Sequence, residues 1–327
     1  MASWKLATAL AAGCTVVLKP AEQTPLTALA LAALTLEAGF PAGVVNVVPG
    51  FGATAGAALT RHPGVAKVAF TGSTAVGRLV QVACAESNLK RCTLELGGKS
   101  PLVVFDDVAD LDEAVKICYD SVFENAGQCC CAATRTFVQA GVHDRFVARA
   151  RELALARRVG DPCTEVEQGP QIDRRSMEKV LELVASGVAE GATLQCGGAR
   201  LGDRGFFVQP TVFSGVEDTM RIAREEIFGP VQSILKFDTM EEVIGRVNDT
   251  RYGLASGVLT ASMERALQFA GAVEAGAVWV NCYLANMPQT PFGGFKESGV
   301  GRELGPEGAL AYLETKTVTI SHPQKNS

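Results

Sequence analysis

The sequence predicts an α/β protein of doubly wound, largely parallel sheets, and three observations carry that expectation. Across the first hundred residues, short β-branched runs alternate with Ala-rich helical stretches. The same alternation resumes from Pro101, just after the glycine pair Gly97 and Gly98. With 327 residues, 47% of them apolar and 20% charged, the chain has ordinary globular composition and the length of about two domains at roughly 150 residues each.

The first strand is TVVL (15–18). Thr24 caps a helix with Pro25 at its first position, and Gly39 closes it. VVNVV (44–48) is the next strand, followed by a Gly-rich turn and a short Ala-rich helix. VAKVAF (65–70) leads through TGST into a helix over 75–86, and CTLEL (92–96) precedes the glycine pair. A second α/β domain opens with PLVVF, a helix over 110–124, the loop ENAGQCCCA and the strand TRTFVQ (134–139). Further strands are expected at 206–213, 231–237, 255–260 and 277–281, with helices near 144–157, 173–190 and 262–275. TKTVTI (315–320) alternates polar and β-branched residues near the terminus, and such a strand seeks an external edge.

Composition narrows the function. The net charge of −5, from 30 basic and 35 acidic residues, comes with no basic cluster interleaved with aromatics, which argues against a nucleic-acid partner. Ten cysteines, three of them consecutive at Cys129, Cys130 and Cys131, read as reduced thiols in a reducing compartment. The three histidines, His62, His143 and His322, stand at no ligand spacing, so no metal is expected. MASWKLATALAAGC imitates a secretory or lipoprotein signal, but polarity does not change after Cys14 and TVVL continues directly into KPAEQTPL. Residues 39–59 carry no charge, yet Pro41, Gly43, Pro49, Gly50, Gly52 and Gly56 break them, so no membrane span is expected.

Three constellations carry chemistry. GSTAVG (72–77) follows a strand and opens a helix, where free N–H groups and Ser73 suit a diphosphate; taken alone it reads first as an ordinary Ser/Thr cap with a glycine turn. GFGATAG (50–56) is suggestive without matching the GxGxxG fingerprint. In TLELGGKSP (93–101), Glu95 ends a strand at the carboxyl edge, where it is either a general base or a solvated strand-end acid. ENAGQCCCA (124–132) presents three thiols in one loop, and a thiol becomes nucleophilic when N–H dipoles or a cation favour its thiolate. With no plausible histidine partner, Cys/His chemistry is disfavoured and another base is needed.

TLELGGKSP, GQCCCA, EEIFGPV (225–231) and PFGGFKESG (291–299) resemble the aldehyde dehydrogenase superfamily, in register from WKLATALAAGC to the terminal PQKNS, and most closely its animal class 1 and class 2 members. The resemblance implies an incomplete Rossmann-type cofactor domain (1–97), an α/β catalytic domain (98–297) and a C-terminal segment (298–327) whose strand 315–320 serves homo-oligomerisation as a dimer or tetramer. It makes Cys130 the nucleophile, Glu95 the base that activates the hydrolytic water, and NAD the cofactor. Lys19 and Glu22 correspond to ribose contacts, Ser73 to a diphosphate contact, and Glu226 and Phe228 to nicotinamide contacts, with Gly52, Phe70, Gly72 and Gly77 lining the cofactor. Phe123, Asn281 and Phe292 correspond to walls of an aldehyde entry.

Two departures qualify what the resemblance implies. Family members begin much earlier, so the first cofactor strands, a bridging hairpin and an oxyanion asparagine are expected upstream of Met1, and the alternative is a truncated low-activity or structural member. Glu124 and Asn286 stand where the mitochondrial enzyme is aromatic, which changes the expected aldehyde. The implied compartment is cytoplasmic or mitochondrial.

Overall fold

The computed structural model describes residues 1–321; His322 and the PQKNS stretch lie outside the described residues. The chain divides into two compact units. One comprises Met1–Ala58, Pro288–Pro291 and the chain from Arg302; the other comprises Leu59–Met287 and Phe292–Gly301. This division follows compactness, whereas the ranges 1–97, 98–297 and 298–327 follow role.

In the first unit, α1 (Ala2–Ala11) buries Leu6 and Ala9, and its Lys5 pairs with Glu303. The opening signal-like stretch is thus helical. β1 (Val16–Leu18) and β2 (Val45–Val47) pair in parallel through α2 (Leu26–Glu37). Pro25, rather than Thr24, occupies the cap of α2, and no side chain bonds there. Its fixed φ suits the helix entry one residue later than the Ser/Thr rule indicates. A π-helical turn, Gly52–Gly56, runs into α3 (Ala57–Arg61).

The second unit starts with β3 (Lys67–Thr71), α4 (Thr74–Ser87) and β4 (Arg91–Glu95), a parallel βαβ pair in which Thr71 faces Glu95. The chain then builds β5 (Pro101–Val104), α5 (Leu111–Phe123), β6 (Arg135–Gln139), α6 (His143–Ala156) and α7 (Arg174–Ala189). β7 (Thr193–Cys196), β8 (Thr211–Ser214), α8 (Arg221–Arg224), β9 (Val231–Phe237) and α9 (Met240–Asn248) follow. After β10 (Tyr252–Gly253) come β11 (Ala255–Leu259), α10 (Met263–Ala272), β12 (Ala277–Val280), β13 (Phe295–Lys296) and β14 (Gly299–Val300). α11 (Gly305–Leu310) belongs to the first unit.

Seven strands form the main sheet in the order β12-β11-β5-β6-β9-β8-β7, parallel except for the β7–β8 pair. Both faces are apolar, which is why PLVVF reads as a continuous run rather than an alternating one. Val103 and Phe105 join Phe137, Leu235 and the inner face of α7 in one core, while Leu102 and Val104 join Val138, Ile234 and the inner faces of α5 and α6 in the other.

The strand expected over 206–213 shrinks to Thr211–Ser214, because Pro210 has no N–H to give a ladder. Residues 315–320, expected as a strand, take no regular structure, and Val318 and Ile320 are exposed. A strand exists only through an edge to pair with, and this chain by itself provides none for these residues among those described. Among the described residues no helix is long and apolar enough to cross a membrane, and no group of three or more His, Cys, Asp or Glu could hold a metal ion.

β14 pairs antiparallel with β4, so that Gly299 faces Glu95. Beside it, Ser298 is wholly buried; its Oγ donates to the Gly97 carbonyl at 2.7 Å and accepts from the Gly253 N–H at 3.0 Å. One hydroxyl thereby ties the end of β4 to β10. Ser298→Ala leaves two buried backbone groups unsatisfied and should cost roughly 1–3 kcal/mol. The expected outcome is a lower denaturation midpoint at unchanged slope; an unchanged midpoint would mean that the hydroxyl carries none of this linkage.

Candidate active site

Glu95 closes β4, is 3% exposed, and its carbonyl accepts from the Gly72 N–H at 3.1 Å. The two glycines that follow it are places where other segments come too near for a side chain. A Cβ on Gly98 would stand 2.3 Å from the carbonyl oxygen of Cys130, and one on Gly97 would stand 2.5 Å from a carboxylate oxygen of Glu226. The Gly98 N–H donates to that carboxylate at 3.1 Å. The motifs TLELGGKSP, GQCCCA and EEIFGPV, far apart in sequence, therefore meet through backbone.

The thiol loop follows α5. Asn125, Ala126 and Gly127 lie consecutively in the left-handed region, at φ 50°, 56° and 71°. For Asn125 and Ala126 this is a strained conformation that surrounding bonds must hold. Two glutamines do so from opposite sides: Gln128 Oε1 accepts from the Ile172 N–H at 2.8 Å, and Gln171 Nε2 donates to the Ala126 carbonyl at 3.2 Å. Gly127 is the third close approach, since a Cβ there would stand 2.0 Å from the Gly229 carbonyl oxygen.

The loop leaves Cys129 and Cys130 half-buried and Cys131 buried, with Cys129 Sγ 3.6 Å from Cys131 Sγ. The thiols share one ionisation. Hydrogen bonds from Cys130 and Cys131 hold the Cys129 thiol low, and the same bonds, with burial, hold Cys131 high. Cys130 is raised by its hydrogen bond with Cys129 and by burial. The charge belongs to the cluster rather than to one sulfur.

Glu226 is half-buried and burial raises its carboxyl, offset by the Gly98 N–H and the cations Lys179 and Lys99. Lys99 is 1% exposed and its Nζ finds no hydrogen-bond partner among the described residues; burial first, then Arg135, bring it down to about 7. Phe228 is exposed and sits at φ 57°, a strained position for an aromatic residue.

At the nucleotide-like motif, Ser73 caps α4 by accepting from the Val76 N–H at 3.3 Å. The Phe70 ring lies against Gly72, and Gly77 lets Leu96 pack on the helix. In the other unit, Lys19 Nζ donates to the carbonyls of Pro20 (2.6 Å) and Gly50 (3.0 Å) and pairs with Glu22 at 3.3 Å. Glu22 is held low by its backbone hydrogen bond and by Lys19, so it is anionic at neutral pH. Open space surrounds the position of a Cβ on Gly52.

The residues expected at the substrate entry are placed differently. Phe123 is fully buried and stacks at 5.0 Å on Tyr119 within the core, so it offers no open wall. Asn281 mimics a strand partner: its Oδ1 accepts from the Thr260 N–H and its Nδ2 donates to the Thr260 carbonyl, both at 2.9 Å. It lines a cleft of about 280 Å³ with residues such as Asp110 and Ile117 at the carboxyl end of the seven-stranded sheet. Cys130, which precedes β6, lies at the opposite end, so the structure does not bring Asn281 to the thiols. Phe292 is buried, Glu124 exposed and Asn286 half-buried. Sequence reasoning missed Gln128, Gln171 and Tyr283, whose hydroxyl donates to the Cys131 carbonyl at 2.9 Å. The GQ preceding the cysteines was the one available signal.

Residues 1–318 match the model of the aldehyde dehydrogenase family. The chain is 60% identical over its whole length to retinaldehyde dehydrogenase 3 of Mus musculus, covering 64% of that protein. It is 58% identical, over 99% of its length, to aldehyde dehydrogenase 1A1 of Rattus norvegicus, covering 65% of it. Among solved structures, the NAD+ complex of an aldehyde dehydrogenase from Bacillus cereus matches at a TM-score of 0.94 and 47% identity, covering 97% of this chain and 65% of that one. The chain thus spans about 64% of the length of the curated relatives it matches. With these matches and the shared motifs gathered around the thiol loop, the chain belongs to the aldehyde dehydrogenase family.

Proposed function

We propose that the protein oxidises an aldehyde to a carboxylic acid with NAD, Cys130 acting as nucleophile and Glu95 as general base. The observation that carries this reading is the seat of the Cys130 carbonyl on Gly98, three residues beyond Glu95, with Glu226 bonded to the same glycine. The Cys130 sulfur adds to the aldehyde carbon as a thiolate. NAD, when bound, accepts the hydride. Glu95, nearly dry at its strand end, takes a proton from the water that hydrolyses the resulting thioester.

The residues present fit such a cofactor. Within the second unit, Ser73 and the first turn of α4 leave N–H groups for a diphosphate and Glu226 offers a carboxylate to ribose hydroxyls; the first unit, by itself, offers the Glu22 carboxylate and open space at Gly52. We assign roles to match: 1–97 to the cofactor, 98–297 to catalysis, and 315–320 to homo-oligomer formation.

Cys130→Ala is expected to abolish dehydrogenase turnover, while Cys129→Ala and Cys131→Ala keep much of it; equal losses at all three would sink the assignment. Glu95→Gln should retain a first-turnover burst of NADH and slow the steady state, because the base serves water rather than hydride transfer. Rapid-mixing absorbance distinguishes the phases, and a mutant with no burst and normal thioester hydrolysis contradicts the role. The Glu22 anion should repel a 2′-phosphate, so the chain should prefer NAD to NADP and Glu22→Gln should narrow the preference by roughly tenfold. Fluorescence titration with both cofactors reads this directly, and equal affinities in the unchanged chain refute it.

A further inference from the structure

Gln171 is 1% exposed, and nothing in the proposed mechanism uses it. Its backbone N–H donates to the Phe206 carbonyl at 2.9 Å, which fixes where the side chain begins. At the far end, Nε2 donates to the Ala126 carbonyl at 3.2 Å, while Oε1 meets no partner among the described residues. Leaving a buried amide oxygen without a partner is costly, so the bond made by the nitrogen must outweigh that cost.

That bond falls where the thiol loop is most strained. Asn125 and Ala126 both hold the left-handed φ that a side chain disfavours. The Asn125 carbonyl is held from inside the turn, by the backbone N–H and the Nε2 of Gln128, both at 3.1 Å. The Ala126 carbonyl is held from outside it, by Gln171. This second peptide group leads into Gly127, which sits on the Gly229 carbonyl, and beyond it the Cys130 carbonyl sits on Gly98. Rotation of the Ala126–Gly127 peptide would therefore shift the chain that carries Cys130 to Gly98.

Gln171 is itself braced against the loop it holds. On one side the Ile172 N–H donates to Gln128 Oε1 at 2.8 Å. On the other, Arg157 Nη2 joins the carbonyl of Glu167 at 2.9 Å to that of Phe123, the last residue of α5, at 2.8 Å. The segment 167–172 is thus tied to the chain before and after the strained turn, and Gln171 bonds the turn itself.

We propose that Gln171 is a positioning residue for Cys130: by holding the Ala126 carbonyl it keeps the left-handed turn that sets the sulfur against the aldehyde carbon. A misplaced attacking atom slows the chemical step without weakening cofactor binding. The inference rests on the reading of Cys130 as nucleophile, and it concerns where that sulfur is placed.

The test is Gln171→Met in the full chain, which keeps the length of the side chain and removes its N–H. The burst of NADH should keep its amplitude, which counts folded sites, while its rate falls roughly three- to tenfold, the equivalent of one hydrogen bond. NAD affinity, read by fluorescence titration, should not move. Glycine adopts the left-handed turn without penalty, so adding Ala126→Gly to Gln171→Met should return most of the lost rate. A burst of lower amplitude at unchanged rate would mean that Gln171 serves stability alone, and overturns the proposal. So does a slowed burst that Ala126→Gly fails to relieve. Should Gln171→Met not fold, Gln171→Asn, whose shorter side chain withdraws the amide from the Ala126 carbonyl, carries the same expectation, and an unslowed burst there is equally decisive against it. Cys130→Ala retaining the burst would instead overturn the nucleophile reading, in a chain whose Gln171 is intact.

Discussion

The candidate site depends on the distance between backbones at Gly98 and Gly127 and on the Glu226 carboxylate seated at Gly97. Three segments separated by up to 130 residues of chain meet there with no room for a single methyl group on any of the three. A contact of this kind cannot be adjusted by rotamer changes, because one side of each pair has no side chain and, at Gly98 and Gly127, the other side is a carbonyl. It fixes the thiol loop relative to the end of β4 with the rigidity of main chain. The strained turn at Asn125 and Ala126 follows from the same demand, since the chain must leave α5 and deliver Cys130 to Gly98 within a few residues.

That compactness has an electrostatic consequence. Charged groups near the thiols are withdrawn from water and answered by fixed dipoles. Arg135, 2% exposed, donates to the carbonyls of Lys99, Arg246 and Val247, so a buried cation is neutralised by peptide groups rather than by a carboxylate. Beside it, Lys99 falls to about 7, the same direction that desolvation imposes on any buried ammonium. Glu226 rises for the mirror-image reason. For Lys99, Arg135 and Glu226 burial comes first and pairing second, whereas for the thiols the hydrogen bonds among them come first.

The elements that build the sheet were legible because their signals are local. VQSILKF and ASGVLT are apolar runs bounded by polar or glycine-containing stretches, and they form β9 and β11 nearly as read. Helices α6 and α7 begin within a residue or two of their expected starts, where Val142 leads into α6 and Asp173 caps α7. β7 and α9 escaped notice, one because TLQC carries little apolar signal, the other despite a capping box in which Thr239 accepts from Glu242 and Glu242 accepts from Asp238. Within the site, the residue types of the three adjacent cysteines and of Glu95 announced chemistry, while Cys130 as the nucleophile and Glu226 as a cofactor contact came from the family resemblance. Phe123 and Asn281 illustrate the limit: correspondence gave them a place along the chain, but their side chains are committed to a core and to a backbone mimic.

What no local pattern could reveal is why three adjacent thiols behave as one group. Proximity alone would spread the protons evenly, since each sulfur is both a weak donor and a weak acceptor. The asymmetry comes first from the hydrogen bonds with the Cys130 and Cys131 thiols and then from the peptide N–H groups of Cys131 and Ala132, all of which hold Cys129 low. Cys129 and Cys130 are both half-buried, so the charge rests one residue from the proposed attacking sulfur at similar exposure. The loop geometry imposed by Gly98 and Gly127 holds the three sulfurs together, with Cys129 Sγ 3.6 Å from Cys131 Sγ.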